Sequence, residues 1–293
     1  MGGGEGFRYS HAMTLRRCIL TLVALAVLAL VWGMLNARAD PVVRRVAVPL
    51  TDWPGGAAPV TVALISDIHL ASPAMDEDRL RRIVGQVNAL HPDLVAIAGD
   101  FVDGWSADRG QKDSRGLIVP LRGLRAPLGT VAVLGNHDHA TAPRAIRAAL
   151  QGADITVLAN EAAQRGPLVI MGLDDAATAL ADVGRTFTSA TGLTGARVTL
   201  THDSQFSPYM PAELSVLLAG HSHCGQIVLP LIGPLGIART FDQRYLCGLV
   251  REPHRTTIVS AGLGTSILPL RFGAPPDIWL IRFGPAAIRR PSR

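Results

Sequence analysis

Six short apolar runs recur between residues 60 and 220: VTVALIS, DLVAIAG, TVAVLG, LVIMG, ARVTLTH and LSVLLAG. Each is shorter than a typical buried helix and rich in Val, Ile and Leu. That pattern suits strands buried on both faces of an α/β fold. Between the first two lies DEDRLRRIVGQVNALHP, where Leu80, Ile83, Val84, Val87 and Leu90 recur at helical spacing and form one apolar stripe. TAPRAIRAALQGA predicts a second helix, with Thr141 as cap, Pro143 in the first turn and Gly152 as the stop. VVRRVAVPL, Val42 to Leu50, reads as a strand ahead of these, followed by the turn-rich TDWPGGAAP. There is no internal repeat and no hinge-like break after residue 40, so one domain accounts for the remainder of the 293 residues.

The residues that end these runs bear on function. Asp67 and His69 come after VALIS, and Asp100 after VAIAG. Asn136, His137 and Asp138 come after VAVLG, His202 closes VTLTH, and His221 and His223 come after VLLAG. In open α/β sheets the ligand crevice lies at the carboxyl ends of strands, so these side chains can converge although they are far apart in the chain. His221 and His223 alone could be turn histidines, part of a zinc knuckle or half of a catalytic metal site. The other strand ends favour the last. Two carboxylates, an amide oxygen and four imidazoles mix hard and borderline donors, a set suited to Mn, Fe or Zn. Seven donors exceed one tetrahedral shell and suit two ions that share a carboxylate. Two such ions acidify a water between them and stabilise both oxygens of a phosphoryl displacement. Gly99, Gly135 and Gly220 each precede a donor, where the lack of a Cβ permits close backbone approach.

Residues 18–35, CILTLVALAVLALVWGML, carry no charge and span about 27 Å as a helix, close to a bilayer's apolar thickness. Ala37-Arg38-Ala39 resembles a signal-peptidase site, so a cleaved signal and an uncleaved anchor both fit. Arginines on the two sides of the run balance, and its signal-like shape favours an exported C-terminal domain. The net charge of +5 owes much to arginines near the termini, among them Arg16, Arg17, Arg289, Arg290 and Arg293. With 5% aromatic residues and no basic run interleaved with them, no nucleic-acid polymer is expected as a partner. The three cysteines form no CxxC; Cys224 and Cys247 could pair if the domain is exported.

The ordered blocks DxH, GD, GNHD, H and GHxH resemble the five-block signature of calcineurin-like metallophosphoesterases. GHSHCGQIVLP, RYLCGLV, GLGTSILPLRFGAPPDIWLI and the N-terminal apolar segment resemble a membrane-anchored bacterial branch. That branch includes phosphodiesterases and a UDP-diacylglucosamine pyrophosphohydrolase of lipid A synthesis. The resemblance implies a two-sheet α/β sandwich flanked by helices, two divalent transition-metal ions and a phosphoester substrate, including a phospholipid or UDP-linked lipid. It implies Asp67, His69 and His223 as ligands of one ion, Asn136, His202 and His221 of the other, and Asp100 as the bridge. It implies His137 as the non-ligand histidine facing the leaving group and Asp138 as its orienting partner. The branch implies a bacterial inner membrane; the signal-like shape of the run places the catalytic domain on the periplasmic side, with a cytoplasmic face or cleaved export as the alternatives.

The sequence departs from the family in two places. Cys224 stands where a glycine is usual, as a tolerated packing change, a soft ligand or a reactive thiol. His202 is followed by DSQFSP, which alters the local substrate loop. The expected division is a disordered head over 1–17, an anchor or signal over 18–35, a linker and first strand over 36–59, and the phosphoesterase domain over 60–293. ILPLRFGAPP is read either as a packed C-terminal loop or as a loop that meets an acyl chain while its Arg271 meets a phosphate. His139, Asp103, Asp174 and Asp175 are read as neighbours or turn residues. Two rivals stand beside this reading. GHSHC nearly fits the serine-hydrolase GxSxG around Ser222 but lacks its last glycine. A non-catalytic metal-binding module, or a phosphomonoesterase or protein phosphatase on the same donors, is the other.

Overall fold

The computed structural model describes residues 4–104 and 106–286, with side chains from Leu15 onward. Residues 1–3 of the expected head, and Arg289, Arg290 and Arg293, lie outside the described residues. After α1 (Gly4–Ala37) and β1 (Val42–Leu50), strand and helix alternate through β2 (Val60–Ile65), α2 (Glu77–Ala89), β3 (Leu94–Ala98), α3 (Ala107–Arg122) and β4 (Thr130–Val133). Two short helices come next, α4 (Asn136–Thr141) and α5 (Pro143–Gly152), then β5 (Ile155–Val157). The second half carries β6 (Glu161–Arg165), β7 (Leu168–Gly172), α6 (Val183–Ser189), β8 (Ala196–Asp203) and β9 (Val216–Gly220). It ends in a small hairpin, β10 (Val228–Leu229) and β11 (Gly233–Pro234), and in β12 (Gly248–Arg251), β13 (Thr256–Val259) and β14 (Asp277–Pro285).

Two six-stranded sheets form, in the orders β1-β14-β2-β3-β4-β5 and β12-β13-β9-β8-β7-β6. Strands β2 to β5 run parallel, as do β7, β8, β9 and β13. Alternation along each strand explains the layers. Val62 and Leu64 pack with Val198, Leu200, Val216 and Leu218 of the other sheet. Their neighbours Ala63 and Ile65 pack with Leu80, Ile83 and Val87 of α2 and with Leu117 and Leu121 of α3. On the outer face of the second sheet, Val169, Met171 and Leu217 pack with Val183 and Phe187 of α6. The result is the expected two-sheet sandwich flanked by helices. Each buried Leu or Ile side chain contributes roughly 1.5–3 kcal/mol through the water it leaves.

Local chemistry sets several boundaries. Asp76 caps α2 by accepting from the Arg79 amide at 2.8 Å, and Glu77 and Asp78 sit favourably in its first turn. Thr141 is not the cap of α5: it ends α4, and Ala142 occupies the cap position. The Thr141 hydroxyl donates to the His137 carbonyl at 2.8 Å, so its oxygen is engaged inside the preceding helix. Helix α1 begins at Gly4, where a disordered head was expected, because extending a nucleated helix adds one bond per residue fixed. Strand β1 is part of the sandwich, paired along its length with β14 from Val42↔Asp277 to Leu50↔Pro285. The first strand expected over Val42 to Leu50 thus belongs to the domain's own sheet.

Candidate metal centre

The predicted donors meet where the two sheets' strand ends face each other. Asp67 and His69 leave the end of β2, Asp100 the end of β3, and Asn136 starts α4 after β4. His202 stands near the end of β8, and His221 and His223 come just after β9. Asp67, His69 and His223 bring one donor atom each within 4.8 Å of one another, as do Asp100, His202 and His221. His69 Nε2 lies 3.2 Å from His223 Nε2, and His223 Nε2 lies 3.5 Å from Asp67 Oδ1. In the second group, His202 Nε2 lies 3.0 Å from Asn136 Oδ1 and 3.1 Å from His221 Nδ1. Asp100 Oδ2 joins the groups, at 3.6 Å from His69 Nε2 and 3.3 Å from His202 Nε2.

These separations fit a metal. Donors about 2.1 Å from one ion lie about 3.0–3.4 Å apart in octahedral or tetrahedral shells. All the donors are nitrogen or oxygen, with no thiolate among them, which suits Mn, Fe or Zn in an open site. The His202 Nδ1–H donates to the Ala98 carbonyl at 2.7 Å, which leaves the Nε2 lone pair aimed at the centre.

The backbone is bent to make this possible. Asp67, His69, Asp100, His221 and His223 all have φ between 46° and 70°, a region non-glycine residues rarely occupy. Strain of this kind costs about 1–3 kcal/mol per residue and concentrates at functional sites. Gly220 leaves room for the Asp67 carboxylate, since a Cβ there would lie 2.5 Å from Oδ2. A Cβ on Gly135 would strike the Asp100 carboxylate.

Burial and charge act together on the donors. Burial pushes His69 down to about 3, against the pull of Asp100. It also lowers His221, with the nearby His202 charge acting in the same sense, and His223, where His69 and Arg271 add to it. Their imidazoles are therefore neutral and have lone pairs to give. Burial opposes charge on His202 as well, but Asp100 and Asp67 outweigh it and hold its pKa well above the ordinary value. Burial would raise Asp100; the His202 charge and hydrogen bond prevail and hold it well below the usual carboxylate range. Asp67 is pushed up to about 7 by burial. A pocket that draws a proton onto His202 also favours a metal cation.

The neighbours divide into those that face the centre and those that build it. His137 lies beside the donors, with its ring 4.8 Å from that of His69 and edge-on to it. Its amide donates to Asp100 Oδ1 at 2.9 Å. The Asp138 carboxylate accepts from the amides of Asp100, Phe101 and Gly135 at 2.8–2.9 Å, so its positioning acts through the backbone of two donor loops. The Ser222 hydroxyl donates to the Leu246 carbonyl at 2.6 Å and is buried, which leaves no serine nucleophile there. His139 pairs with Asp174 at 2.8 Å. Asp103 Oδ1 stands 3.7 Å from His69 Nδ1, beyond hydrogen-bond distance.

Arg271 corrects an expectation. It is fully buried, and its guanidinium donates to the carbonyls of Ala261, Gly262, Gly264 and Ala274, with Nη2 3.4 Å from His223 Nδ1. It holds the loop behind His223 and offers nothing to a phosphate, because carbonyls take its donors. Cys224 is neither ligand nor free thiol: it forms a disulfide with Cys247. Cys18 is the free cysteine.

Four of the donors, Asp100, Asn136, His221 and His223, line a cavity of about 510 Å³ together with His137. Ile227, Leu235, Ile237, Phe241, Ile267 and Leu268 add apolar walls to the same cavity. Phe241 stacks on His221 with centroids 5.5 Å apart. These apolar walls lie in irregular segments whose sequence has no periodic signal, so the donors were legible and the walls were not.

The geometry has counterparts among known proteins. Residues 60–225 match the calcineurin-like phosphoesterase family. An "Uncharacterized metallophosphoesterase YkuE" of Bacillus subtilis (strain 168) is 31% identical over 224 residues, 74% of this chain and 76% of that protein. A Danio rerio "Transmembrane protein with metallophosphoesterase domain" is 29% identical over 282 residues, 90% of this chain and 62% of that protein. The chain spans 49–62% of the length of its Danio, Caenorhabditis and Bos relatives. The solved structure "Crystal structure of Pseudomonas putida nuclease MPE" is similar over 75% of this chain and 86% of that one, at 18% identity and a TM-score of 0.35. With its donors gathered at strand ends and the match running through every one of their loops, this chain belongs to the calcineurin-like phosphoesterase family.

Proposed function

We propose that the chain is a dinuclear metal-dependent hydrolase of phosphodiester or pyrophosphate bonds, acting on a substrate with a lipid part. The observation that carries this reading is that nitrogen and oxygen donors and apolar walls line one cavity. Asp67, His69, Asp100 and His223 would hold one ion; Asp100, Asn136, His202 and His221 would hold the second. Bound Mn, Fe or Zn would supply charge for the phosphoryl oxygens and bring the pKa of water near neutral.

The chain's own residues do the rest. Asp138 keeps the Asp100 and Gly135 loops in register through their amides. Arg271 and the Cys224–Cys247 bond hold the His223 loop from behind. His137, beside the donors at the cavity wall, protonates the leaving oxygen, help typically worth about 10²–10⁴ in rate. The apolar walls take an acyl chain in preference to a phosphopeptide, which favours this reading over a protein phosphatase. Helix α1 has an apolar span over Leu15–Ala37 that anchors the domain to a membrane, a bacterial inner membrane in the closer resemblance. The disulfide supports a domain on the oxidising, periplasmic side.

A substrate panel tests the proposal: nucleotide diesters, glycerophosphodiesters, UDP-diacylglucosamine and a phosphomonoester, each with Mn and with a chelator. The expected result is chelator-sensitive hydrolysis of a diester or pyrophosphate, faster when an acyl chain is present. Turnover of the phosphomonoester alone would overturn it.

A further inference from the structure

Among the described residues outside α1, large apolar side chains are seldom exposed, and five of the exposed ones lie in two neighbouring segments. Leu231 and Ile232 form the tip of the β10–β11 hairpin and Ile237 comes just after it; Ile267 and Leu268 stand in the loop before Arg271. Leu231 is fully exposed, and Ile237 and Ile267 are 71% and 72% exposed. The two segments are one surface. The Val228 amide donates to the Phe272 carbonyl, and the Gln226 side chain donates to the carbonyls of Ser266 and Leu268. Ile237, Ile267 and Leu268 also line the mouth of the donor cavity.

The same loop is fastened to α1. The Arg271 amide donates to the Gly33 carbonyl at 3.0 Å, and the Asn36 side chain donates to the Arg271 carbonyl at 3.4 Å. Phe272 lies so close that a Cβ on Gly33 would fall 2.6 Å from its ring. Arg79 then holds the Ala39 carbonyl at 2.9 Å, and Arg38 pairs with Asp76 at 2.6 Å, so the end of α1 is tied to the domain at several points. Gly33 is four residues inside the Leu15–Ala37 span, about 6 Å along a helix axis. A loop packed there is at the depth of the bilayer interface, where amphipathic elements bury their apolar faces about 5–10 Å. Trp32, exposed beside Gly33, suits that depth too. The exposed Arg239, two residues after Ile237, would face anionic head groups.

We propose that the rim formed by Leu231, Ile232, Ile237, Ile267 and Leu268 docks on the lipid surface, so that the cavity mouth opens into the bilayer interface. An amphiphile then reaches the donors without leaving the membrane. The inference rests on the reading of α1 as a membrane span, and not on the chemistry proposed for the donors.

The full chain in phosphatidylcholine–phosphatidylglycerol vesicles tests it. An environment-sensitive fluorophore is placed on one thiol at a time, and nitroxide lipids serve as quenchers. Native Cys18 reports on α1. In a Cys18→Ser background, Ile267→Cys and Ile237→Cys report on the rim, and both positions are exposed enough for substitution to leave the core intact. Val119→Cys, exposed on α3, reports on the far side of the domain. The Asn88 side chain donates to the Gly123 carbonyl, so the end of α3 adjoins the end of α2, about 18 Å from the Asp76 end that meets Arg38.

The expected result is lipid quenching at Cys18 and at both rim positions, with rim emission shifted to the blue of position 119. Quenching at Cys18 with a rim no different from position 119 would overturn the docking, whether the rim is open to aqueous iodide or covered by a second copy. A Cys18 probe that lipid cannot quench would overturn the membrane reading and the docking with it.

Discussion

Asp100 Oδ2 stands 3.6 Å from one donor nitrogen and 3.3 Å from another, one in each group. Asp100→Asn removes a charge from both, and should weaken metal binding more than any other single donor substitution. Ligand-shell changes cost about 10–100-fold in metal affinity even when they act from outside, so a larger loss is expected here; titration of the apo chain with Mn measures it. His137 has a different expected signature. His137→Asn should keep both metals and fold normally, yet lose about 10²–10⁴ in rate on an alkyl phosphodiester. The loss should be much smaller on a p-nitrophenyl ester, whose leaving group is stable as an anion. Equal losses would show that His137 holds charge or position; loss of metal would make it a ligand. The sequence made these donors legible because each comes after an apolar run that ends a strand. It did not show the left-handed backbone at Asp67, His69, Asp100, His221 and His223, since a positive φ on Asp or His leaves no mark of its own. Arg271 stayed open for a related reason: an arginine in an apolar loop serves a ligand or its own backbone, and only burial distinguishes them.

At the scale of elements, strands and the α2 stripe were legible, while α3 was not. Its Gly110, Gly116 and Pro120 blur the helical pattern, and Thr141, Glu77 and Leu70 crowd those glycines in the fold. The same limit left the pairing of Cys224 with Cys247 open, because their proximity depends on how the loops after β9 fold back. That bond closes a sequence separation of 23 residues next to His223. Chain-entropy reasoning puts its contribution at about 3 kcal/mol. Cys247→Ser should therefore lower the melting temperature by about 6–12 °C in thermal unfolding of the detergent-solubilised chain. The oxidised protein, denatured without reductant, should give one alkylated thiol, that of Cys18. Three thiols would show that the pair is unlinked and the His223 loop held by hydrogen bonds alone.

The whole molecule joins a long apolar helix to a sandwich through a fixed joint, with Ala37 fully buried and Arg79 holding the Ala39 carbonyl. A chain beginning at Asp40 should be soluble and keep hydrolysis of small diesters, because the donors and both sheets lie beyond that point. It should lose more rate on vesicle-embedded substrate than on soluble substrate. If removing residues 1–39 unfolds the domain, α1 is part of its core and the topology is wrong. The fold class was legible from the alternation of apolar strands and amphipathic helices; the joint was not, because Gly33, Asn36 and Phe272 carry no pattern that connects them. The central claim is that Asp67, His69, Asp100, Asn136, His202, His221 and His223 hold two metal ions with Asp100 between them. Metal content by mass spectrometry, read with the magnetic coupling of the Mn-loaded chain by electron paramagnetic resonance, tests it most directly. The account predicts close to two ions per chain with a spin-coupled signal, both lost in Asp100→Asn. One uncoupled ion per chain, or full activity in a metal-free preparation, would contradict it.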